Sequence, residues 1–263
     1  MDTKTIRYLH ELNNRFYQEQ GASFARTRGA PWHGWKHCLE VLQAEKDVQS
    51  SNTLSVIDVA SGNTRFKNFL QESLPSAKIN YFAVDNSREM AAGNEFQNLD
   101  VLELLIDGQK LSEQLAVPAC DLSTSFGFMH HIPSQELRKS LLENMLDITK
   151  SSGFIAISFW QFLKSSELAH KAETTHTQAL EQMDTTPLYE STCELQSALD
   201  AGDYFLGWQD KLGTYRYCHS FSEEEIDELV AAVTDRAELT SRFSADGRTQ
   251  NLNSYIILQK PPR

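Results

Sequence analysis

Three aspartates near the ends of short apolar runs are the residues whose type and spacing first point to chemistry. Asp58 lies in "LSVIDV", Asp85 ends "KINYFAVD", and Asp100 lies in "QNLDVLEL". The first two are 85 − 58 = 27 residues apart, a separation that suits one strand-helix-strand step. A carboxylate at the end of the second strand can accept hydrogen bonds from both ribose hydroxyls of an adenosine cofactor. Asp100 is placed to meet an adenine amino group.

The segment that follows the first strand, "DVASGNTRF", predicts a tight turn leading into a helix. Ala60, Gly62 and Thr64 hold its small positions, so the strict glycine fingerprint of nicotinamide-binding loops is absent. An ordinary strand-turn-helix is the alternative interpretation of this loop taken alone. The three acids, together with the His-His turn of "STSFGFMHHIPSQEL", favour a cofactor loop.

A second set of side chains could act on an acceptor. Arg28 and Arg216 could each fork onto a carboxylate or a phosphate, because a guanidinium presents paired donors. If the acceptor were a hydroxyl or an amine, His131 or His130 would be the candidate general base. A surface salt bridge is the alternative role for Arg28, and a structural loop position is the alternative for His131.

Extended and helical patterns alternate from residue 54 onward. The segments "LSVIDV", "KINYFAVD", "CDLSTSFGF" and "GFIAISFW" predict strands, and "TRFKNFLQESL", "SREMAAGNEF" and "SQELRKSLLENMLDITK" predict helices between them. A capped helix, "SEEEIDELVAAVT", and two strands, "AELTSRF" and "NSYIILQK", end the pattern. The alternation predicts an α/β fold with a mostly parallel, Rossmann-like sheet and helices on both faces.

Two segments fall outside this alternation. Residues 1–48 predict two helices joined by "RTRGAPWHGW", a lid or substrate segment ahead of a main domain at 49–263. A polar stretch at about 161–214, after the fifth strand, predicts a substrate-binding insertion. Trp160 at its border and Trp208 within it either stack on a base or pack the lid.

Composition narrows the class of protein. The 263 residues carry a formal net charge of −12, which opposes non-specific attraction to a polyanion, so a nucleic-acid substrate would need a local or borrowed basic surface. The four cysteines have no metal-ligand spacing, and no metal is expected. The sequence shows neither an apolar run of membrane-spanning length nor a signal peptide, so a soluble, cytoplasmic protein with no membrane partner is expected.

The quoted segments resemble a known family. "DVASGNTRF", "AVDNS", "LDVLEL" and "CDLSTSFGFMHHIPS" resemble motif I, motif II, the adenine-contact turn and motif IV of class I S-adenosylmethionine (SAM)-dependent methyltransferases. Ala60 and Thr64 replace two of the three usual glycines of motif I. The flanking "SFARTRGAPW", "GFIAISFWQF", "GDYFLGW", "YRYCHSFSEEEIDEL" and "RTQNLNSYIILQK" resemble the tRNA wobble-uridine methyltransferases that esterify 5-carboxymethyluridine, over about residues 16–260.

The resemblance implies roles for particular positions. The cofactor SAM would be held by Asp58, Ala60, Gly62, Asn63, Asp85, Asn86, Asp100, Val101, Phe126 and His130. The substrate side would be lined by Arg28, Trp32, His131, Asp203, Trp208, Arg216, Tyr217 and His219. Eukaryotic members of the family work with a small zinc-binding activator protein, which adds a second expected partner beside tRNA.

Three functions remain open from the sequence. The first is SAM-dependent methyl-ester formation on a carboxymethylated wobble uridine of tRNA. The second is methylation of a small-molecule carboxyl or hydroxyl on the same fold, which the acidic net charge favours. The third is a non-catalytic cofactor-binding subunit, which the weak glycines of motif I favour.

Overall fold

The protein is described by a computed structural model that covers residues 1–44, 53–91, 94–183, 189, 191–209 and 211–262. The predicted boundary between residues 48 and 49 lies outside the described residues, as do positions 92 and 93 of the predicted "SREMAAGNEF" helix. Positions 184–188, 190 and 210 of the predicted insertion also lie outside them.

Among the described residues, nine strands form two sheets. In chain order they are β1 (Thr53–Val59), β2 (Lys78–Asp85), β3 (Gln97–Asn98), β4 (Cys120–Ser125), β5 (Thr149–Trp160), β6 (Asp203–Trp208), β7 (Lys211–His219), β8 (Glu238–Ala245) and β9 (Asn253–Gln259). The main sheet has the order β3-β2-β1-β4-β5-β9-β8. Its first five strands pair in parallel, and β9 runs antiparallel between β5 and β8. The predicted mostly parallel sheet is confirmed.

The α-helices flank this sheet or stand beside it. They are α1 (Thr3–Arg26), α2 (His33–Ala44), α3 (Arg65–Ser73), α4 (Arg88–Ala91), α5 (Val101–Ile106), α6 (Leu111–Gln114), α7 (Gln135–Asp147), α8 (Ser166–Gln182), α9 (Thr192–Ala198) and α10 (Glu223–Ala231). Ser222 caps α10 in a capping box with Glu225, as the acid-rich sequence suggests. Within the described residues, no helix combines the length and the apolarity that crossing a bilayer requires.

The continuous apolar run of β5 is buried on both faces of the sheet. Ile155 and Ile157 belong to one hydrophobic cluster, and Phe154 and Ala156 belong to the cluster on the other side. Side chains alternate across a strand, so a strand covered on both faces must be apolar at every position. This is the physical reason that "GFIAISFW" shows no polar alternation.

Helix α1 packs against the β6–β7 hairpin, which together with α8 and α9 fills the predicted insertion. Leu9 of α1 shares a hydrophobic cluster with Phe205 of β6 and Tyr217 of β7. The side chain of Asn13 accepts a hydrogen bond from the backbone N–H of Tyr217 at 2.7 Å and donates to its carbonyl at 3.1 Å. The side-chain amide of Asn13 therefore bonds to the hairpin as a neighbouring strand would. Through this contact the N-terminal helix α1 packs on the predicted insertion.

Candidate functional site

A cavity of about 510 Å³ opens at the carboxyl ends of the parallel strands. Residues that end or follow β1, β2, β3, β4 and β5 line its floor, and α1 with the α1–α2 connection (residues 27–32) lies over it. This is where open α/β sheets bind ligands, because successive helices diverge there. The volume is in the range of small-molecule sites.

The turn between β1 and α3 has a left-handed backbone at three positions, of which only one is a glycine. Ala60, Gly62 and Thr64 have φ values of 58°, 54° and 54°. A left-handed backbone costs a residue with a Cβ atom roughly 1–2 kcal/mol, so the turn holds Ala60 and Thr64 against their own preference. The N–H of Ser61 donates to the carbonyl of Val84 at 3.0 Å, which ties the turn to β2.

Asp85 and Asp100 stand beside this turn. Asp85 accepts hydrogen bonds from the N–H groups of Gly62 at 2.7 Å and Ser87 at 2.8 Å, and burial raises the pKa of its carboxyl. Asp100 caps α5. Burial opposes its ionisation, yet hydrogen bonds from His10 and other donors bring the pKa of Asp100 down to about 2. Both acids line the cavity, as does Val101, so the structure brings together these predicted ribose and adenine residues.

Helix α1 contacts Asp100 at the wall of the cavity. His10 Nε2 lies 3.1 Å from Asp100 Oδ2, and the amide nitrogens of Asn14 and Asn86 donate to the same oxygen at 3.1 and 2.7 Å. The side chain of Asn86 also donates to Asn14 Oδ1 at 3.0 Å. The predicted residue Asn86 therefore lines the cavity and joins β2 to the helix above it.

Asp58 does not line the cavity, although it was predicted to hold the cofactor. Its carboxylate is 3% exposed and accepts hydrogen bonds from the Tyr81 hydroxyl and, at 2.8 Å, from Thr124 Oγ1. Burial raises its pKa to about 6. The side chain of Asp58 supports the turn from beneath, because β2 and β4 supply its partners on both sides.

Asn63 faces the cavity from the other end of the turn. Its amide nitrogen donates to the carbonyl of Arg28 at 3.0 Å. The predicted cofactor residue therefore also holds the α1–α2 connection in place over the cavity.

The segment after β4 forms the floor that the sequence predicted. Phe126 and Gly127 line the cavity together with Trp32, which reaches over from the connection above. A Cβ atom built on Gly127 (φ +79°) would lie 3.0 Å from the Trp32 ring. Only glycine allows Trp32 to approach this closely without strain.

Neither histidine of the His-His turn is set up as a base. His131 Nδ1 lies 3.0 Å from the carbonyl oxygen of Tyr217, so Nδ1 carries the proton, and Nε2 accepts from the Tyr17 hydroxyl at 2.8 Å. Burial, and then the charge of Arg216, lowers the pKa of His131 to about 3. Burial also lowers the pKa of His130 well below its ordinary value, and its Nδ1 has no hydrogen-bond partner. Both rings are neutral and line the cavity.

Two predicted arginines, Arg28 and Arg216, line the cavity together, and neither pairs with a carboxylate of the described residues. Arg216 of β7 is 5% exposed, and its Nε and Nη1 atoms have no hydrogen-bond partner in the part of the chain that the structure describes. Arg28 Nη1 donates only to Thr27 Oγ1, at 3.0 Å. Burial, followed by the charge of Arg216, lowers the pKa of Arg28. Two guanidinium groups are thus gathered in one place without a counter-ion.

Aromatic rings enclose this cationic corner. The Arg216 guanidinium carbon lies 5.2 Å from the Phe24 ring centroid and 5.8 Å from that of Trp208, and Arg28 lies 4.3 and 5.9 Å from the same two rings. Trp208 does not line the cavity and acts from behind the arginines. Trp160 does line it, with its ring 5.0 Å from that of His130.

Asp203, Tyr217 and His219 lie away from the cavity, although they were predicted to bind substrate. Asp203 Oδ1 accepts from the Tyr217 hydroxyl and lies 2.7 Å from His219 Nδ1, while His219 Nε2 lies 2.8 Å from Glu225 Oε1. Arg138 of α7 donates to the Tyr217 hydroxyl at 3.2 Å. These side chains form a buried network that fixes the hairpin to α7 and α10, and they satisfy one another.

One group of potential metal ligands occurs in the described residues. Donor atoms of His130, His131 and Cys218 lie within 4.8 Å of one another. Burial raises the pKa of the Cys218 thiol to about 11, so the sulfur is protonated. The unpaired charge of Arg216 in the same corner opposes a second cation.

Sequence reasoning missed several residues of this site. His10, Asn13, Asn14 and Tyr17 repeat along one face of α1 and face the cavity. Arg65, the first residue of α3, also lines it. Polar residues at helical spacing on a helix with apolar neighbours were the available signal for α1.

Comparison with known proteins identifies the fold. No family model matches the chain, and neither does any curated protein. Among solved structures, DhpI in complex with SAM and HEP is 15% identical over 96% of this chain and 98% of its own, with a TM-score of 0.56. A SAM-dependent methyltransferase from Methanosarcina mazei is 14% identical over 83% and 99%, with a TM-score of 0.55. One from Clostridium acetobutylicum is 13% identical over 94% and 98%, with a TM-score of 0.50. The chain therefore has the fold of the class I SAM-dependent methyltransferases.

Proposed function

We propose that the protein is a SAM-dependent methyltransferase whose acceptor atom is an anionic oxygen. The fold supports the reaction class, and DhpI, one of the similar structures, was solved with SAM. The observation that carries the acceptor chemistry is the buried Arg216, which lines the same cavity as the strand-end acids and has two guanidinium nitrogens without a hydrogen-bond partner among the described residues.

The described residues fit the cofactor. Asp85 would bind the ribose hydroxyls, and Asp100 with Val101 would meet the adenine ring. The turn at Ala60–Asn63 would lie beside the amino-acid end. When bound, SAM supplies a methyl group on a positively charged sulfur. The protein's part is to hold an acceptor oxygen in line with that group, exclude water and position the acceptor charge.

The acceptor side is suited to an acid and unsuited to an alcohol. Arg28 and Arg216 can bind an oxyanion, and an oxyanion is already a nucleophile. A hydroxyl would require a base with a pKa near the working pH. His131 has a pKa of about 3 and both nitrogens engaged, so it cannot supply that base. We therefore assign to His131 the role of positioning Tyr17. Arg28 and Arg216 are assigned to binding the acid.

The finer candidate is the carboxymethyl group of a tRNA wobble uridine. The support is the resemblance of the flanking segments and the presence of Trp32, Phe126 and Trp160 on the cavity wall, where a base could stack. A small-molecule acid is the second candidate. The net charge of −12 and the position of α1 over the cavity favour it, because both disfavour approach of a large polyanion.

Transfer of labelled methyl from SAM tests the proposal. The acceptors are total tRNA and, in parallel, a tRNA-free metabolite extract, and the products are analysed by nucleoside and metabolite mass spectrometry. A base-labile ester at the wobble uridine supports the tRNA candidate, while label only in a metabolite acid supports the second. Label on nitrogen or on an alcohol would contradict the anionic acceptor. SAM binding without transfer to either pool would favour a non-catalytic cofactor-binding subunit.

A further inference from the structure

Arg65 is a third arginine on the cavity wall. Its guanidinium carbon lies 4.9 Å from the ring centroid of Trp32 and 5.0 Å from that of Trp35. Its Nη1 donates to the carbonyl of Ala30 at 2.9 Å. Two tryptophan faces and one carbonyl thus orient the guanidinium, but none of these partners neutralises its charge.

The charge of Arg65 has no paired carboxylate among the described residues. Burial, followed by the positive charge of Arg28, lowers the pKa of Arg65 to about 10. Asp246 also lines the cavity, but its carboxylate already accepts from Asn253 at 2.9 Å and from the Tyr255 hydroxyl at 2.5 Å. A partly buried cation that its surroundings destabilise is a site prepared for an anion.

The aromatic neighbours divide the cavity arginines into two groups. Arg28 and Arg216 share the faces of Phe24 and Trp208 on the acceptor side. Arg65 lies over Trp32 and Trp35 and directly follows the β1–α3 turn, where it begins a helix of nine residues. The positive end of that helix adds to its charge.

We propose that Arg65 binds the carboxylate of the cofactor's amino-acid end. This inference rests on the proposed function. The amino-acid end of SAM carries an ammonium and a carboxylate beside the cationic sulfur, so the carboxylate is its only anion. Arg65 then selects the cofactor, and the other two arginines are left for the acceptor.

Calorimetric binding of two ligands tests this assignment. SAM is compared with decarboxylated SAM, which keeps the ammonium and the sulfonium and lacks only the carboxylate. A charge-assisted hydrogen bond of the usual strength makes SAM about 10- to 100-fold tighter in the unaltered protein. Arg65→Gln should weaken SAM by the same factor and leave decarboxylated SAM unchanged, so the discrimination disappears. This double comparison isolates the one contact.

Two further variants serve as references. Arg248→Gln removes an arginine whose side chain is 93% exposed and outside the cavity, and it should leave both affinities unchanged. Arg65→Lys keeps the charge without the fork and should retain part of the discrimination. If circular dichroism shows that Arg65→Gln is not folded, Arg65→Lys takes its place in the comparison.

Several results would overturn the assignment. Equal weakening of both ligands by Arg65→Gln would mean that Arg65 only holds the carbonyl of Ala30. Discrimination that survives in Arg65→Gln and disappears in Arg28→Gln would move the carboxylate to Arg28. Equal affinity of both ligands for the unaltered protein would remove carboxylate recognition altogether. Absence of SAM binding would instead contradict the proposed function itself.

Discussion

Replacing Arg216 with methionine should stabilise the free protein and abolish its action on an acidic acceptor. Arg216 is 5% exposed, and two of its guanidinium nitrogens have no hydrogen-bond partner. Methionine fills a similar volume without charge or donors. A binding residue of this kind lowers the free energy of unfolding, so its removal should raise the stability of the protein.

The size of the effect follows from the contacts that are lost and gained. Each buried donor without a partner costs about 1–3 kcal/mol, and two such atoms disappear in the variant. Against this, the guanidinium lies over the rings of Phe16, Phe24 and Trp208 at 5.0, 5.2 and 5.8 Å. Each such contact contributes about 0.5–1 kcal/mol. The net gain should be about 1–3 kcal/mol, which raises the melting temperature by about 2–4 °C per kcal/mol for a chain of this size.

The assay is urea denaturation of both proteins at low ionic strength in a buffer free of multivalent anions. Addition of inorganic phosphate or citrate should then stabilise the unaltered protein more than Arg216→Met, which keeps Arg28 and Arg65 in the same cavity, because ligands stabilise only the state that binds them. Loss of 1 kcal/mol or more of stability in Arg216→Met would refute the reasoning. It would show that Arg216 is a satisfied structural residue rather than an unpaired anion site.

Three further predictions concern the histidines, the turn and the buried network. Burial lowers the pKa of His131 to about 3 in the folded protein, against 6.5 in the unfolded chain. The unfolded state therefore binds more protons between these two values, and the free energy of unfolding should fall as the pH is lowered from about 6 to 3. His131→Gln should flatten that slope in pH-dependent denaturation. Ala60→Gly should be neutral or stabilising by up to about 1 kcal/mol, while Ala169→Gly within α8 should cost about 0.5–1 kcal/mol; equal losses would contradict the left-handed strain at Ala60. Asp203→Asn should cost about 3–5 kcal/mol in urea denaturation by removing the buried carboxylate that Arg138, Tyr217 and His219 share, whereas Asp227→Asn, in an exposed pair, should cost under about 1 kcal/mol.

The positions of Asp85 and Asp100 at the cavity could be predicted from the sequence because both residues lie at strand ends. Asp85 ends β2 and Asp100 caps α5, so the alternation of strands and helices places both at one edge of the sheet. Asp58 occupies the same kind of position and yet points beneath the turn. Which side of a strand end faces the ligand depends on the partners supplied by neighbouring strands, here Tyr81 and Thr124, and the local sequence does not specify these.

The residues predicted for the acceptor could be located only in part because they come from segments distant in the chain. Arg28 and Arg216 were expected there from their type and their resemblance, and they do share the cavity. Tyr217 and His219, one and three positions beyond Arg216, were expected beside it. Successive side chains of a strand point to opposite faces, so Tyr217 and His219 lie on the face of β7 opposite Arg216. There they join the buried network with Asp203 and bond to α7 and α10. Long-range pairing of this kind has no local signal.

The charge of the acceptor also bears on product release. Methylation converts an oxyanion into a neutral ester, so the product no longer pairs with Arg28 and Arg216, neither of which pairs with a carboxylate of the described residues. A charged hydrogen bond contributes about 1.5–3 kcal/mol, and its loss should weaken binding by about 10- to 100-fold. The methyl ester should therefore bind much more weakly than the unreacted acid. Calorimetry with each compound in the presence of S-adenosylhomocysteine measures the two affinities. Equal affinities would show that the acid is recognised by its neutral parts. Arg28 and Arg216 would then bind an anion other than the acceptor.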